Sequence, residues 1–163
     1  LGGKRGGARE VRMGRHLTLR DYVRRRTGVP LGHRDSMRNM LDRSLGAASF
    51  GGFWRHWNPI WSYGLARYIM APLTRAIPFP AALVLTFAAS GLVHDLVIMA
   101  LRRELALLFT PWFVLCALLV VLGNRLGWRV THKPWAVRAA LNLVQLAATA
   151  GIAMFTMDKF GLW

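Results

Sequence analysis

Apolar residues are distributed unevenly along the chain, and the carboxyl-terminal half contains three long apolar runs. The first, residues 81–101, follows Pro78 and Pro80 and has about the 20 residues that a helix needs to cross the hydrocarbon of a bilayer. The second run covers residues 105–122 and the third covers residues 137–157. We therefore predict three transmembrane helices, and an all-α fold.

The amino-terminal part of the chain has a different pattern. Residues 1–50 are basic and contain no long apolar run. Apolar positions at helical spacing predict short helices over residues 17–26 and 36–45, the second beginning at Asp35 or Ser36. We interpret residues 1–50 as a basic arm, which either lies against lipid headgroups or is partly disordered, and residues 51–163 as the membrane domain.

A tryptophan-rich segment joins these two parts. Trp54, Trp57 and Trp61 follow one another at intervals of three and four residues, which would place all three indoles on one face of a helix. Indole rings beside arginines are typical of the interface between membrane and water. We predict an interfacial or re-entrant helix over residues 54–73, ended by Pro72.

Composition supports the assignment to a membrane. Hydrophobic residues make up 54% of the 163 positions, seven residues are tryptophan, and the mean hydropathy is +0.30. The net charge of +15 comes from arginine clusters that flank the apolar runs, which favours the anionic cytoplasmic leaflet over nucleic acid as the partner. The single cysteine, Cys116, lies within an apolar run, and we interpret it as a buried hydrophobic residue.

The positions of the cations predict the orientation in the membrane, because loops rich in lysine and arginine stay in the cytoplasm. We expect an integral protein of a bacterial inner membrane, with its amino terminus and the loop from Gly123 to Trp135 in the cytoplasm. The cations on this side are those of the arm together with Arg125, Arg129, Lys133 and Arg138, against Arg102, Arg103 and Lys159 on the other side.

His94 is the strongest candidate for chemistry, since an ionisable residue inside an apolar span is costly and marks a functional or paired group. Phe87, Ser90 and Gly91 share its helical face. Gly91 would allow another backbone or a substrate chain to come close, and a neutral imidazole in an apolar slot can act as a base. Structural hydrogen bonding, ligation of a haem or pigment, and catalysis all remain open for His94.

Other polar residues of the spans are expected to bind one another. Asp95 lies about 100° around the helix from His94 and should meet either Arg102 or a polar group on another helix. The third span carries a polar stripe that predicts hydrogen bonds between helices. This stripe consists of Asn142, Gln145 and Thr149. The remaining histidines have no metal-ligand spacing and are expected to be solvated; they are His16, His33, His56 and His132.

Two motifs carry a resemblance to a known family. The segment FWRHWNPIWSYGLARYIMAPL, Phe53 to Leu73, resembles the motif that opens an interfacial helix in membrane-bound O-acyltransferases. The segment FAASGLVHDLV, Phe87 to Val97, resembles the element that carries the catalytic histidine of that family, and FTPWFVL continues like its sterol and diacylglycerol acyltransferase branch. The resemblance covers the central third of the chain.

The resemblance implies an enzyme that transfers an acyl group from acyl-CoA or an acyl carrier protein to a hydroxyl acceptor, without a tightly bound cofactor or metal. It implies that His94 is the general base and that Asn58 positions the acyl thioester or the acceptor. Arg55 or Arg67 would attract the phosphates of the donor, and Ser90 would orient the imidazole or the thioester carbonyl. Trp54 and Trp57 belong to the same motif and are further candidates for substrate binding.

The chain departs from this family in its number of spans, since family members usually have eight or more. We therefore expect either the carboxyl-terminal part of a larger enzyme, or a chain that assembles with other transmembrane helices or subunits, or a reduced relative. Two interpretations from other classes stay open beside the enzyme. One is a non-catalytic subunit of a membrane complex, and the other is a pigment- or haem-binding subunit with His94 as axial ligand.

Overall fold

The computed structural model of the chain describes residues 17–162, and this part is helical, with no strand. A π-helical turn, Ala66–Met70, joins two of the short helices. The α-helices in chain order are α1 (Leu19–Thr27), α2 (Ser36–Leu45), α3 (Phe50–His56), α4 (Pro59–Leu65), α5 (Ala71–Ala76), α6 (Phe79–Arg102), α7 (Phe109–Arg125) and α8 (Trp135–Lys159). The prediction of an all-α fold is confirmed for the described residues.

Helices α6 and α8 are the long apolar helices of the molecule. They have 24 and 25 residues, and each is long and apolar enough to cross a membrane. Helix α7 is apolar but has only 17 residues, because it begins at Phe109 rather than at residue 105. Two of the three predicted spans therefore meet the length requirement, and a count of three stays a prediction.

The short amino-terminal helices form where the sequence predicts them. Thr18 caps α1, its side chain accepting a hydrogen bond from the backbone N–H of Asp21, and Gly28 ends the helix in a left-handed conformation with φ +81°. Helix α2 has the predicted bounds. Asp35 precedes it but makes no side-chain capping bond, so α2 is stabilised mainly by its packing.

The prediction of one continuous tryptophan-rich helix is wrong, because the segment is broken in the middle. Trp57 is extended and Asn58 has a left-handed backbone with φ 38°, so that α3 ends and α4 begins in a new direction. Trp54 and Trp61 thus belong to two different helices and do not share one helical face. The Pro at position 59 suits the start of α4, where its missing N–H leaves no partner unpaired.

The predicted end of this segment at Pro72 is also wrong, since the helical path continues to Ala76. Proline lacks the N–H of a regular helix and its ring crowds the preceding turn. The π-helical turn directly before it has a wider backbone, in which the N–H of Ala71 donates to the carbonyl of Ala66. This wider turn accommodates Pro72 without ending the helix.

The amino-terminal helices pack against the rest of the fold. The indole Nε1 of Trp135 donates to the carbonyl of Asp42 at 3.1 Å, and the N–H of Val130 donates to the carbonyl of Ala48 at 2.9 Å. The end of α2 and the loop before α8 therefore lie together. On the other side of the molecule, the loop after α6 meets the segment after α8, where the N–H of Leu107 donates to the carbonyl of Leu162 at 2.9 Å. Which side faces the cytoplasm, and a domain boundary at residue 50, stay predictions.

Two residues of the polar stripe of α8, Asn142 and Thr149, make the hydrogen bonds between segments that its spacing predicts, whereas the side chain of Gln145 makes none to the described residues. Asn142 is buried, and its amide nitrogen donates to the carbonyls of Leu45 at 2.8 Å and Ala47 at 3.0 Å. The hydroxyl of Thr149 accepts from the indole of Trp112 on α7 at 3.1 Å. These bonds hold α8 against α2 and α7.

The same region confirms the interpretation of Cys116. Its side chain is fully buried, and its sulfur lies 3.3 Å from the Thr149 hydroxyl. Cys116 belongs to the hydrophobic core, together with Phe50, Phe53 and Val120.

Asp95 fixes the contact between α6 and α7. Its buried carboxylate accepts three hydrogen bonds from the amino-terminal end of α7, from the backbone N–H groups of Leu108 at 3.0 Å, Phe109 at 2.7 Å and Thr110 at 2.7 Å. A negative charge at this position also interacts favourably with the helix dipole. Of the two predicted partners, a polar group of another helix is thus observed, and it is the helix end itself.

Gly91 lets these two helices approach. A Cβ atom at this position would lie 2.6 Å from the carbonyl oxygen of Phe109 and 2.6 Å from the Cα of Thr110. Since both are backbone atoms, no rotation of a side chain would relieve the clash. The sequence prediction that another backbone comes close to Gly91 is confirmed.

Replacing Asp95 with alanine should strongly destabilise the protein, because three backbone N–H groups at the start of α7 would lose their acceptor. We expect the free energy of unfolding in detergent to fall by roughly 3 kcal/mol or more, and Asp95→Asn to cost less since one acceptor oxygen remains. Chemical denaturation followed by circular dichroism measures this. Asp35→Ala is the matched control, because Asp35 also precedes a helix but makes no capping bond. Equal effects of Asp95→Ala and Asp35→Ala would contradict the capping role.

A candidate active-site cavity around His94

A cavity of about 470 Å³ lies between α3, α4, the π-helical turn, α6 and α7. It follows one face of α6 from Phe79 to His94, a rise of about 22 Å along the helix. Most of its wall is apolar and aromatic. Six of the seven predicted site residues line it, namely Trp54, Arg55, Trp57, Asn58, Ser90 and His94.

The imidazole of His94 is held in one tautomer. Its Nδ1 lies 2.7 Å from the backbone carbonyl oxygen of Ser90, and a carbonyl can only accept a hydrogen bond. Nδ1 must therefore carry the proton, which in the neutral ring leaves Nε2 with a free lone pair. The chemistry available at this position is that of a base, a hydrogen-bond acceptor or a metal ligand.

Aromatic rings surround this imidazole. The rings of Phe109 and Phe113 on α7 each lie 5.4 Å from it, measured between ring centroids, and the indole of Trp61 meets its edge at 6.1 Å. Trp61 also donates its Nε1–H to the hydroxyl of Ser90 at 2.8 Å. The Ser90 oxygen is thus an acceptor for the indole, and its own O–H is left as a donor.

Asn58 occupies the break between α3 and α4. Its side-chain oxygen accepts from the backbone N–H of Trp61 at 3.2 Å and so caps α4. Asparagine tolerates the left-handed backbone better than most residues. The carboxamide N–H groups make no hydrogen bond to the described residues, and they remain as donors beside the cavity.

Trp54 and Trp57 form part of the aromatic wall. The indole of Trp54 packs edge-on against Phe87 at 5.2 Å and against Phe113 at 5.5 Å, while Trp57 stacks on Phe53 at 5.3 Å. Such contacts fix the rings in place, so that the cavity has a rigid aromatic side.

The two predicted arginines have different surroundings. Arg55 is exposed and lines the cavity. Arg67 is exposed but does not line it, since its guanidinium donates to the hydroxyl of Tyr63 at 2.9 Å and lies near the rings of Tyr63 and Tyr68. The geometry therefore brings Arg55 to the cavity and leaves Arg67 outside.

Several lining residues were missed in the sequence. Asn124 lies at the end of α7, and Arg129 lies in the loop that follows it. Met70 belongs to the π-helical turn, and Thr86 belongs to α6. For Arg129 the sequence predicts only a position in a cytoplasmic loop. The helical spacing of Leu83, Thr86 and Ser90 with His94 is a signal for the α6 face, but nothing local in the sequence places Arg129 beside it.

His56 is the exception among the histidines expected to be solvated. It is partly buried, lines the cavity, and its Nδ1 lies 3.0 Å from the carbonyl oxygen of Arg26. Burial lowers the pKa of His56 below its ordinary value of 6.5, and the charges of Arg26, Arg43 and Arg55 lower it further, against the hydrogen bond to the carbonyl. The surroundings of His56 thus favour its neutral form.

The remaining histidines of the described part of the chain do not line the cavity. His33 and His132 are exposed, as predicted, and His16 lies outside the described residues. Among residues 17–162, no group of three histidine, cysteine, aspartate or glutamate side chains has the geometry to hold a metal ion.

Folding stability should depend on the protonation of His56. Because its pKa is lower in the folded than in the unfolded state, its contribution to stability is present above about pH 6.5 and is lost as the pH falls from there through the lower pKa of the folded state. The midpoint of thermal unfolding in detergent should therefore fall less between pH 7.5 and pH 5 in His56→Gln than in the wild type. His33→Gln, at an exposed position, should follow the wild type; parallel curves for wild type and His56→Gln would contradict the prediction.

Comparisons of the chain with protein-family models, with curated proteins and with solved structures give no match. The functional interpretation therefore rests on the two sequence motifs and on the geometry of the cavity.

Proposed function

We propose that this protein is a membrane-embedded acyltransferase of the membrane-bound O-acyltransferase type, which transfers an acyl group from acyl-CoA or an acyl carrier protein to a hydroxyl acceptor. The observation that carries the proposal is the bond from His94 Nδ1 to the Ser90 carbonyl, which leaves Nε2 as a base in an apolar cavity. The motifs that resemble this family contain all six of the predicted site residues that line the same cavity.

The reaction follows from the tautomer of His94. Nε2 takes the proton of the acceptor hydroxyl as its oxygen attacks the carbonyl carbon of the thioester. The tetrahedral intermediate then collapses, the carbon–sulfur bond breaks, and the thiolate takes the proton from Nε2. The products are an ester and a free thiol, and the imidazole returns to its starting state.

Ser90 and Asn58 have the donors that such a reaction needs. The hydroxyl of Ser90, held by the indole of Trp61, can donate to the thioester carbonyl oxygen, where negative charge develops in the transition state. The amide of Asn58 can donate to the acceptor or to the thioester from the opposite helix. Both side chains line the cavity with His94.

The long apolar part of the cavity suits an acyl chain. Its wall along α6 includes Phe79, Leu83 and Phe87, and it extends about 22 Å from Phe79 to His94. Burial of each methylene group in such a site contributes about 0.8 kcal/mol. A long acyl chain would therefore bind well, with its thioester near His94.

Parts of the surface are apolar enough to pack against further helices or lipid. The outer faces of α6 and α8 carry exposed large apolar side chains, among them Leu96, Val97 and Leu101 on α6 and Val144, Ile152 and Phe155 on α8. Lipid or further transmembrane segments would cover them. The same faces are what a non-catalytic subunit would present, so that interpretation stays as an alternative in the test.

Replacing His94 with alanine should reduce acyl transfer roughly 10²- to 10⁴-fold, because the general base is lost. The assay offers labelled long-chain acyl-CoA and mixed lipid alcohols to membranes that contain the intact assembly, and separates labelled ester from donor. Insertion into the membrane and the amount of protein should not change, since removal of a polar group from a span does not weaken the hydrophobic driving force for its insertion. His132→Ala, at an exposed position, is the matched control.

Two results would contradict the catalytic role of His94. Wild-type turnover that survives His94→Ala would exclude it as the base. A wild type without turnover for either acyl-CoA or acyl carrier protein would favour the non-catalytic subunit, and a visible haem or pigment spectrum that is lost in His94→Ala would favour the axial ligand.

Asn58 has two roles that substitutions can separate. Asn58→Asp keeps the oxygen that caps α4 and tolerates the left-handed backbone, but it removes the amide donors. We expect its rate of acyl transfer to fall by roughly three- to tenfold without a change in thermal stability, and Asn58→Ala to lose both. If Asn58→Asp retained the full wild-type rate, the role of Asn58 would be limited to the cap.

A further inference from the structure

Three arginines from three different helices lie around His56. They are Arg26 at the end of α1, Arg43 near the end of α2 and Arg55 in α3, and all three charges act on the imidazole. The carbonyl of Arg26 accepts from His56 Nδ1 at 3.0 Å and from Arg43 Nη1 at 3.4 Å, which ties the three helices together. We call these residues the arginine cluster.

No carboxylate compensates this cluster in the described part of the chain. The ion pairs there join His33 and Arg34 to Asp35, and none of the three cluster arginines takes part. The guanidinium of Arg26 lies over the ring of Tyr22 at 4.8 Å, and that of Arg43 occupies the space left by the absent side chain of Gly28. The contacts of Arg26 and Arg43 are thus with uncharged groups, and cations without a carboxylate partner favour a bound anion.

The cluster borders the cavity around His94. Arg55 and His56 belong to both, and Arg129 lines the same cavity from the loop after α7. The hydrogen bond from Val130 N–H to the carbonyl of Ala48 holds this loop in place. An amphiphile in the cavity would thus have cations beside its polar end.

We infer that Arg26, Arg43 and Arg55 form an anion-binding site for the phosphate groups of an acyl ligand whose chain occupies the cavity. The planar guanidinium binds phosphate oxygens through paired hydrogen bonds, which lysine cannot do. The basic arm therefore supplies two of the three cations of the site. The inference deepens the proposed function and rests on it for the fate of the acyl group, but the binding itself requires no turnover.

Two sources supply this chemistry, namely the coenzyme A part of an acyl donor and the headgroup of an anionic phospholipid. The test uses the 163-residue chain in phosphatidylcholine nanodiscs and measures the binding of coenzyme A, without an acyl group, by calorimetry. A second arm measures the retention of phosphatidylglycerol by native mass spectrometry from discs that contain both lipids.

We expect Arg43→Gln and Arg26→Gln to weaken the binding of one of these ligands roughly tenfold or more, which is the scale of a lost charge-assisted hydrogen bond. Arg38→Gln and Arg25→Gln are matched controls on the same two helices, and both side chains are exposed. These two control substitutions should change the affinity by no more than about twofold, well below the roughly tenfold loss expected for a cluster arginine. Arg43→Lys should recover only part of the loss.

The two arms identify the source. If the binding of coenzyme A is weakened by the cluster substitutions, the site binds the donor. If only the retention of phosphatidylglycerol is weakened, the site binds a lipid headgroup. If neither ligand distinguishes Arg43→Gln from Arg38→Gln, the anion site is excluded. Because Arg43 is exposed, Arg43→Gln tests the site even if Arg26→Gln, whose side chain packs on Tyr22, fails to fold.

Failure of the anion site and failure of the transferase are distinguishable. Binding that depends on the cluster in a protein without turnover would retain the site and exclude the enzyme. Turnover that is the same in Arg43→Gln and Arg38→Gln at limiting donor concentration, with unchanged binding, would retain the enzyme and exclude the site.

Discussion

The capping of α7 by the carboxylate of Asp95 is the constraint on which the rest of the structure depends. A charged group inside an apolar helix has a high cost unless it is paired and fully hydrogen-bonded. Here three backbone N–H groups at the start of α7 satisfy it, and these groups would otherwise be unpaired themselves. One side chain thus satisfies both helices, and it determines where α7 begins.

This junction also builds the site. Gly91, one turn before Asp95, removes the side chain that would separate α6 from the backbone of Phe109, so the rings of Phe109 and Phe113 come within 5.4 Å of His94. The Nδ1–H of the imidazole is held by the carbonyl of Ser90. A base with a fixed tautomer in an apolar wall is the result of helix packing, and its chemistry follows from that packing.

The opposite wall comes from the segment before α6. The left-handed Asn58 turns the chain, so that Trp54 and Trp61 reach the same cavity from two helices, and the indole of Trp61 reaches Ser90. The basic helices pack behind this wall, where the carbonyl of Arg26 accepts from His56. The amino-terminal helices therefore bring positive charge next to the apolar cavity, which Arg55 and His56 line.

Local patterns in the sequence determined the helical character of the chain, the bounds of α2 and the apolar runs, because hydrophobic periodicity and helical spacing are properties of neighbouring residues. The six predicted site residues that line one cavity came from two motifs that resemble a known family. Only the tertiary structure decided the break at Asn58, the partner of Asp95, the burial of His56 and the place of Arg129. Each of these depends on contacts between segments far apart in the chain, where a left-handed backbone, a buried carboxylate or a neutral imidazole is stabilised by groups that the local sequence does not contain.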